Sequence, residues 1–452
     1  MKQKFTDVYK DANSVTLNVT NNCNLHCTYC FEQAKEKLMM PHEIAIEAIN
    51  KMYHRLDGRE PFTINFFGGE PLLNWPTIKA AIDYCNKEKL KVRYGITTNL
   101  TLLTDEMIDY FDDESIPVLV SIDGIKSVHD KNRCGSFDTT VKNMQRLIDR
   151  NLTIFIEARM TILPEDMKYA MDGVKMLYDM GINNFCPMPV TDVEWDDESL
   201  EDAKKFYTEV TQFFIDKVSD PNNTRNISIK NVDDLMQNIL VPEINDPYMC
   251  PIFGNKWCTI DYRGDVYACH QGPTSTGELK DTLYIGNLDW VDPDKITSEI
   301  RKADYSMPEC TDCIGKSVCK CGCPVENMRE NGKYTHPTKA YCELKKIMIS
   351  SMKEKQEVIM NIESPHNRVL TMVHECMKIK TYVDSICNET KLNDTLKLYS
   401  QIQHVSEMLD NIDDNVLPTF RDYIDGKLKE ILIALTVNDN VIIDDNSHKE
   451  EK

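Results

Sequence analysis

Residues 15–31 read VTLNVTNNCNLHCTYCF, a strand-like run that leads into three closely spaced cysteines. Apolar and polar residues alternate from Val15 to Val19, which predicts a β-strand. The spacing Cys23-x3-Cys27-x2-Cys30 then places three thiols on the loop at the carboxyl end of that strand. Three thiolates can hold three corners of a four-iron cluster and leave one iron open, or they can bind zinc. The motif therefore predicts a metal centre, and at this point either metal is compatible with it.

Short β-rich runs alternate with amphipathic, Lys/Glu-rich stretches through the first half of the chain. This alternation is typical of βα units in a parallel sheet, and the helical stretches are long enough for right-handed crossovers. The pattern predicts an α/β fold with a partial (β/α)6, TIM-like barrel. The predicted strands are Val15–Val19, Phe62–Phe67, Val92–Thr97, Val118–Ile122, Ile154–Arg159 and Asn184–Pro189. The predicted helices between them are His42–Asp57, Trp75–Lys87, Asp105–Phe111, Thr139–Arg150 and Met167–Met180.

Compact polar groups stand at the ends of four successive predicted strands. In a barrel of this kind the carboxyl ends of the strands form the catalytic rim. A ring of polar groups around a three-cysteine loop therefore predicts a site for a small zwitterion that carries a ribose. The groups are Gly68-Gly69-Glu70, Thr97-Thr98-Asn99, Ser121-Ile122-Asp123-Gly124, and Arg159 with Thr161.

A second group of cysteines lies between residues 250 and 342. This stretch holds nine of the 17 cysteines, where their mean frequency would give roughly 3.5. In an intracellular protein, clustered thiols indicate metal or redox chemistry rather than structural disulfides. Two iron–sulfur clusters or paired zinc knuckles would both fit such a group.

The length and composition exclude several classes of protein. A chain of 452 residues is too long for a small secreted scaffold, and 41% hydrophobic residues are enough for a folded globular protein. With 52 basic and 73 acidic residues the net charge is -21, which disfavours binding to nucleic acid or to anionic membranes. The N-terminus has no apolar signal segment, and the run Ile431–Val437 is far shorter than a bilayer span. We therefore expect a cytoplasmic protein.

The motifs of the first half resemble those of the radical S-adenosylmethionine (SAM) enzymes. The three-cysteine motif that ends in Tyr29-Cys30-Phe31, the Gly-Gly-Glu and the Ser-Ile-Asp-Gly follow the order of that family. The resemblance implies that Cys23, Cys27 and Cys30 bind a four-iron cluster whose fourth iron takes the amino and carboxylate groups of SAM. It also implies cofactor-binding roles along the rim: Gly68, Gly69 and Glu70 at the methionine end, and Asn99, Ser121 and Asp123 at the ribose and methionine polar atoms.

Arg159 is the expected partner of the SAM carboxylate, because a guanidinium offers bidentate donors. An ordinary salt bridge at the barrel rim is the alternative role for Arg159, and Arg133 is a weaker competitor for the carboxylate.

The second group of cysteines is similar to the SPASM domain of radical SAM peptide and protein maturases. The shared pattern is Cys250-x13-Gly264-x4-Cys269 followed by Cys310-x2-Cys313-x5-Cys319-x3-Cys323-x18-Cys342. The resemblance implies two auxiliary four-iron clusters, and so three clusters in total with SAM. One would use Cys250, Cys258, Cys269 and Cys323, and the other Cys310, Cys313, Cys319 and Cys342. Cys321 is left over, and Cys85, Cys134 and Cys186 are interpreted as non-ligands.

One departure from the family pattern bears on the reaction. In SPASM enzymes that oxidise a sulfatase Cys or Ser, the residue after the cysteine of the Gly-x4-Cys element is an Asp that acts as a base. In this chain Cys269 is followed by His270-Gln271. This resembles the Cys-His-Gln version of maturases that crosslink ribosomally made peptides. His270 is the candidate catalytic residue, as a neutral imidazole that accepts a proton, with a structural role beside a cluster as the alternative.

The resemblance implies a radical SAM/SPASM maturase that takes a hydrogen atom from a ribosomally made (RiPP) precursor peptide and installs a crosslink, preferably a thioether. Oxidation of a protein Cys or Ser and a non-catalytic zinc-stapled binding module are the alternatives. A low-potential electron donor, flavodoxin or ferredoxin, is an implied partner. About 20 residues precede Cys23, too few for a winged-helix leader-binding module, so we expect leader recognition by a separate protein, by the acidic surface or by residues 346–436.

The expected domain organisation has four parts. They are the radical SAM partial barrel at 1–235, the SPASM domain at 236–345, a helical extension at 346–437 and an acidic disordered tail at 438–452.

Overall fold

A computed structural model gives the fold of the chain. It describes residues 2–10, 12–32, 37–53, 62–220, 222–225, 227–234, 250, 257–295, 306–316, 318–355 and 358. These described residues all belong to one compact unit. The predicted tail, and residues 361–437 of the predicted helical extension, lie outside the described residues.

Parallel strands form the centre of the molecule and confirm the predicted partial barrel. Along the described part of the sheet the order is β1-β12-β11-β10-β9-β2-β3-β4-β5-β6-β7-β8, parallel from β9 through β8 and antiparallel from β1 through β9. The strands are β1 Gln3–Lys4, β2 Ser14–Thr20, β3 Phe62–Gly68, β4 Val92–Thr98, β5 Val118–Ser121, β6 Ile156–Ile162, β7 Asn184–Pro189, β8 Ser228–Ile229, β9 Trp257–Ile260, β10 Asp265–Tyr267, β11 Tyr284–Asn287 and β12 Trp290–Val291.

Strand β2 holds the middle of this sheet. Val15 pairs in register with Ile64 of β3 on one side and with Cys258 of β9 on the other. Six of its seven residues are buried, whereas β3 alternates buried and half-buried positions. The strand that carries the three-cysteine loop therefore joins the barrel and the cysteine-rich segment into one sheet.

Helices lie between successive parallel strands, as crossover connections require. They are α1 Phe5–Val8, α2 His42–Tyr53, α3 Trp75–Lys87, α4 Asp105–Asp113, α5 Lys126–Asn132, α6 Phe137–Asp149, α7 Ala170–Asp179, α8 Asp197–Ser219, α9 Gly277–Leu283, α10 Pro324–Asn331 and α11 Lys339–Lys353. Helices α2 to α8 form these connections, and the remaining helices lie outside them. Helix α6 illustrates why these segments form helices with one buried face, because its Thr140, Met144 and Leu147 are buried at helical spacing. Helix α11 runs across residue 345, where the sequence predicts a domain boundary.

Two predicted elements begin later in the structure than the sequence predicts. The strand predicted from Ile154 begins at Ile156, because Thr153–Phe155 form a 3-10 turn after α6. The helix predicted from Met167 begins at Ala170 and follows a 3-10 helix, Pro164–Tyr169. In the part of the chain that the structure describes, no helix has the length and apolar character needed to cross a membrane.

Candidate active site

The three-cysteine loop follows β2 and is fixed by contacts to the segment after α5. The backbone N–H of Thr28 donates to the carbonyl of Asn132 at 3.0 Å. The exposed thiol of Cys134 contacts the backbone of His26, with its sulfur 3.2 Å from the carbonyl oxygen and 3.3 Å from the amide nitrogen. These contacts hold the loop while the half-buried Cys23, Cys27 and Cys30 line a cavity.

Gly68 and Gly69 allow the end of β3 to pass directly against the start of this loop. A Cβ on Gly68 would lie 2.1 Å from the carbonyl oxygen of Thr20, and one on Gly69 would lie 2.3 Å from that of Asn22. Gly68 also has a φ of +147°, which L-residues rarely adopt. Both glycines line the cavity, and their lack of a side chain is required by backbone packing as well.

Glu70 is buried and its carboxylate accepts three hydrogen bonds, one from the turn after β3 and two from the end of β4. One oxygen accepts from the amide of Leu72 at 3.0 Å and from the Thr98 hydroxyl at 2.6 Å, and the other accepts from the amide of Asn99 at 2.7 Å. Burial raises the pKa of Glu70 to about 7. Asn99 continues the connection, because its side-chain amide donates to the Asn24 side chain in the cysteine loop at 3.0 Å.

Asp123 forms a buried cluster under the cysteine loop and is not among the residues that line the cavity. Its carboxylate pairs with the Arg133 guanidinium at 2.9 Å and accepts a hydrogen bond from the hydroxyl of Tyr29, the residue between Cys27 and Cys30. The backbone amide of Thr161 donates to its other oxygen at 3.1 Å. Arg133 is thus paired through its Nε with Asp123, and its weaker candidacy for the SAM carboxylate stays a prediction.

The Arg159 guanidinium, unlike that of Arg133, forms no salt bridge with a described residue. It lines the cavity from β6, in register with Ser121 of β5, and donates to the thiol of Cys186 at 3.3 Å. Among the described residues no carboxylate lies within 4.0 Å of its guanidinium. The predicted rim salt bridge is therefore absent from the described structure, and the cation is available to a carboxylate ligand.

His270 stands in an aromatic enclosure on the cavity wall. Its ring centroid is 5.1 Å from that of Phe67, 5.8 Å from that of Phe31 and 6.0 Å from that of Trp257. Burial, assisted by the charge of Arg159, lowers the pKa of His270 to about 4. The imidazole is therefore neutral at physiological pH and able to accept a hydrogen bond, while the same lowering of its pKa makes it a weak base.

The cavity has a volume of about 690 Å³. Its wall combines the cysteine loop and the rim residues Gly68, Gly69, Glu70, Asn99, Ser121 and Arg159 with His270, Gln271 and Cys323 of the cysteine-rich segment. Residues far apart in sequence thus face one space that is large enough for a cofactor and part of a substrate.

Comparison with known proteins agrees with this geometry. The model of the Radical SAM superfamily matches residues 17–177, which include the cysteine loop, the Gly-Gly-Glu and the polar ends of β4 to β6. These residues form a radical SAM domain. The chain is accordingly an enzyme, and the alternative of a non-catalytic zinc module is wrong.

Relatives share much of the chain beyond this domain. The radical SAM cyclopropyl synthase TigE of Paramaledivibacter caminithermalis is 25% identical over 76% of this chain and 75% of its own. A cysteine-type anaerobic sulfatase-maturating enzyme of Clostridium novyi is 24% identical over 67% of this chain and 85% of its own. A structure of anSMEcpe with bound AdoMet and the Cp18Cys peptide superposes with a TM-score of 0.63 at 18% identity, over 77% of this chain and 98% of that one.

The donor groups of this site fit an iron–sulfur cluster. The fold implies a four-iron cluster and SAM, and the cysteine loop offers three half-buried thiols beside the available Arg159. Thiolates suit the iron of that pair, and a guanidinium without a carboxylate partner among the described residues suits the carboxylate of SAM. When bound, the pair supplies a radical that removes a hydrogen atom from carbon.

The cysteine-rich segment of the enzyme is assembled from strands β9 to β12, α10 and α11. Cys258 and Cys269 are buried, and burial raises the pKa of both thiols. Each thiol is therefore neutral in the protein alone, and a bound metal would have to stabilise its thiolate form. Within the described ranges, no three His, Cys, Asp or Glu side chains form a ready cage for a single metal ion. The ligand set in the three-cysteine loop and the two auxiliary ligand sets therefore all remain predictions.

Contacts between α10 and the loop after β7 form a wall that the sequence did not indicate. Arg329 pairs with Asp192 at 2.8 Å and donates to the side chain of Gln271, and the Thr191 hydroxyl donates to Glu326. The sequence did contain a signal for the part of the cavity wall that α11 forms. The residues that line the cavity from this helix repeat at helical intervals, as Tyr341, Leu344, Lys345 and Met348.

Proposed function

We propose that this radical SAM enzyme matures a ribosomally made peptide by removing a hydrogen atom and installing a crosslink, preferably a thioether. The supporting observation is the shared cavity, in which neutral His270 and Gln271 face the three-cysteine loop. A peptide bound in this space would meet both the hydrogen-abstracting centre and a proton acceptor. Peptide binding by the similar structure anSMEcpe supports a peptide substrate.

The chemistry of a thioether balances with the groups available. One substrate C–H bond breaks with loss of a hydrogen atom, and the S–H bond of a substrate cysteine breaks with loss of a proton. A C–S bond forms, and one electron leaves. His270 is the candidate acceptor of the proton, and the predicted auxiliary clusters are the candidate acceptors of the electron. The crosslinked peptide thus has two hydrogens fewer than its precursor.

Anaerobic reconstitution tests this proposal. Three clusters require roughly twelve irons per chain. We expect that amount, together with release of 5'-deoxyadenosine when SAM and dithionite are added. Cys30→Ala should lose about four irons and the 5'-deoxyadenosine, while Cys85→Ala, which alters a buried thiol of α3 outside the cavity, should keep both. Equal 5'-deoxyadenosine release by Cys30→Ala and wild type would contradict the assignment of the loop.

Oxidation of a protein Cys or Ser is the second candidate, favoured by the similarity to the sulfatase-maturating enzyme. The residue after Cys269 is His rather than Asp, which disfavours it. Mass spectrometry after turnover separates the two: a crosslink links two residues of one peptide, whereas oxidation converts a single Cys or Ser to formylglycine. Short peptides encoded beside this chain are the first substrates to test.

Leader recognition by residues 346–436 remains a proposal, with a cap on the barrel or a dimer interface as its rival. Deleting residues 365–452 and measuring both peptide affinity and molar mass distinguishes them. Unchanged affinity would exclude docking of the leader on this region. A separate leader-binding protein and a flavodoxin or ferredoxin donor are the other proposed partners.

A further inference from the structure

Some charged side chains on the cavity wall form salt bridges within the protein, whereas others form none with a described residue. Among the described lining residues, Arg133 is paired with Asp123, and Arg329 with Asp192. Arg159 and Lys345 also line the cavity, but no described carboxylate lies within 4.0 Å of either one. The cavity therefore offers two cations to whatever binds there, although the chain as a whole carries a net charge of -21.

Lining carboxylates are engaged by the protein itself. The oxygens of Glu70 accept hydrogen bonds from Leu72, Thr98 and Asn99. Asp234 pairs with Lys230 at 2.9 Å. Among the described residues neither side chain forms a salt bridge with Arg159 or Lys345, although the charge of Asp234 acts on Lys345 at longer range.

Arg159 and Lys345 have different surroundings. Arg159 lies on β6 beside Ser121 and Cys186, and its charge acts on His270 and Glu326. SAM carries a single carboxylate, and Arg159 on the strand rim is the cation suited to it. Lys345 is then left for a second anion.

Lys345 lies on a helix face that is otherwise apolar or aromatic. Its neighbours on the cavity-lining face of α11 are Tyr341, Leu344 and Met348, spaced as one face of a helix. Burial lowers the pKa of Lys345, and only the longer-range charges of Cys319 and Asp234 oppose this. An ammonium in such a setting gains strongly from a bound counter-ion.

We propose that Lys345 binds a carboxylate of the peptide substrate, so that this enzyme selects an acidic peptide. The inference rests on the proposed function and names its substrate class. The carboxylate can belong to an Asp or Glu side chain or to a free C-terminus. A role of Lys345 in compensating the charge of the thiolates around Cys319 is the competing explanation.

A peptide pool tests the proposal with the full-length, anaerobically reconstituted enzyme and SAM. The pool contains N-acetylated, C-amidated heptapeptides with a central Cys and randomised flanking residues, and a second pool has free C-termini. Peptides retained by the enzyme are identified by mass spectrometry. We expect wild type to enrich either Asp and Glu over Asn and Gln, or free over amidated C-termini, by about tenfold or more. Which pool shows the enrichment identifies the source of the carboxylate.

Variants assign the selection to Lys345. Lys345→Met should abolish the enrichment and Lys345→Arg should keep most of it, while Lys353→Met, at an exposed position of the same helix, should behave as wild type. If Lys345→Met fails to fold, Lys345→Gln takes its place. Iron content and SAM binding, which a role in the proposed carboxylate site does not require, should equal those of wild type in every folded variant.

Each contrary result has a distinct meaning. Wild-type enzyme that enriches no carboxylate, or a folded neutral variant that still enriches it, overturns the inference. Loss of iron in Lys345→Met overturns it in favour of charge compensation, and loss of SAM binding assigns Lys345 to the cofactor instead. Wild-type enzyme that releases no 5'-deoxyadenosine overturns the proposed function, and the inference with it.

Discussion

The buried pair of Asp123 and Arg133 shows how single residues shape the cysteine loop from below. Their ion pair lies out of solvent, and Tyr29 donates to the same carboxylate from within the three-cysteine motif. The Arg133 guanidinium also lies 5.3 Å from the centroid of the Tyr29 ring. A charge removed from this cluster leaves its partner buried and uncompensated, which costs more than the pair itself contributes.

At the residue scale we therefore predict that Arg133→Met lowers the free energy of unfolding by about 3–5 kcal/mol, measured by urea denaturation. The double variant Asp123→Asn/Arg133→Met should recover part of that loss, because no uncompensated charge remains. Arg150→Met, which removes an exposed pair with Asp109, should leave the urea midpoint unchanged. Equal destabilisation by the single and double variants would contradict this explanation.

The start of α11 connects the cysteine-rich segment to the barrel at the level of elements. Thr338 caps the helix by accepting from the amide of Tyr341 at 3.0 Å, and its hydroxyl donates to the carbonyl of Thr191 at 2.6 Å. One side chain thus satisfies a helix end and holds the loop after β7. This anchor also sets the position of the helix face that carries Lys345.

At the element scale we predict that Thr338→Ala lowers the free energy of unfolding by about 1–2 kcal/mol and speeds hydrogen exchange in the loop around Thr191. Thr104→Ala is the matched control, because Thr104 caps α4 by a bond to Met107 alone. It should lower stability less and leave exchange in that loop unchanged. Loop exchange that is the same in both variants would argue against the anchor.

The sheet is continuous across the whole described molecule. Because β2 pairs with both β3 and β9, the barrel and the cysteine-rich strands share backbone hydrogen bonds. Loss of either neighbour would leave β2 with an unpaired edge. The two predicted domains are therefore expected to depend on each other for stability.

At the scale of the molecule we predict that amides of β2, β3, β9 and β10 exchange hydrogen in one cooperative event as urea is raised. Hydrogen-exchange mass spectrometry of peptides from both regions should give a common free energy of opening. Exchange of β9 and β10 at a clearly lower free energy than β2 and β3 would show that the regions open independently.

Local sequence patterns were enough to predict the barrel, whereas side-chain contacts that depend on tertiary packing could not be predicted. The alternation in β2 and the cysteine spacing are properties of short segments, so the strand and its loop were predictable. The pairing of Asp123 with Arg133 depends on how α5 turns back under the loop, and the placement of Lys345 depends on α11 packing on α8. Neither contact has a local sequence signal. For Glu70, the residue was identified but its three internal donors were not.

The contact between Cys134 and His26 gives the enzyme a built-in reporter. Cys134 is the exposed thiol among the described cysteines, and it touches the backbone of the residue next to Cys27. A fluorophore coupled to this sulfur would sense whether the neighbouring loop is ordered. Iron loading could thereby be followed optically and in real time through a label on a native residue.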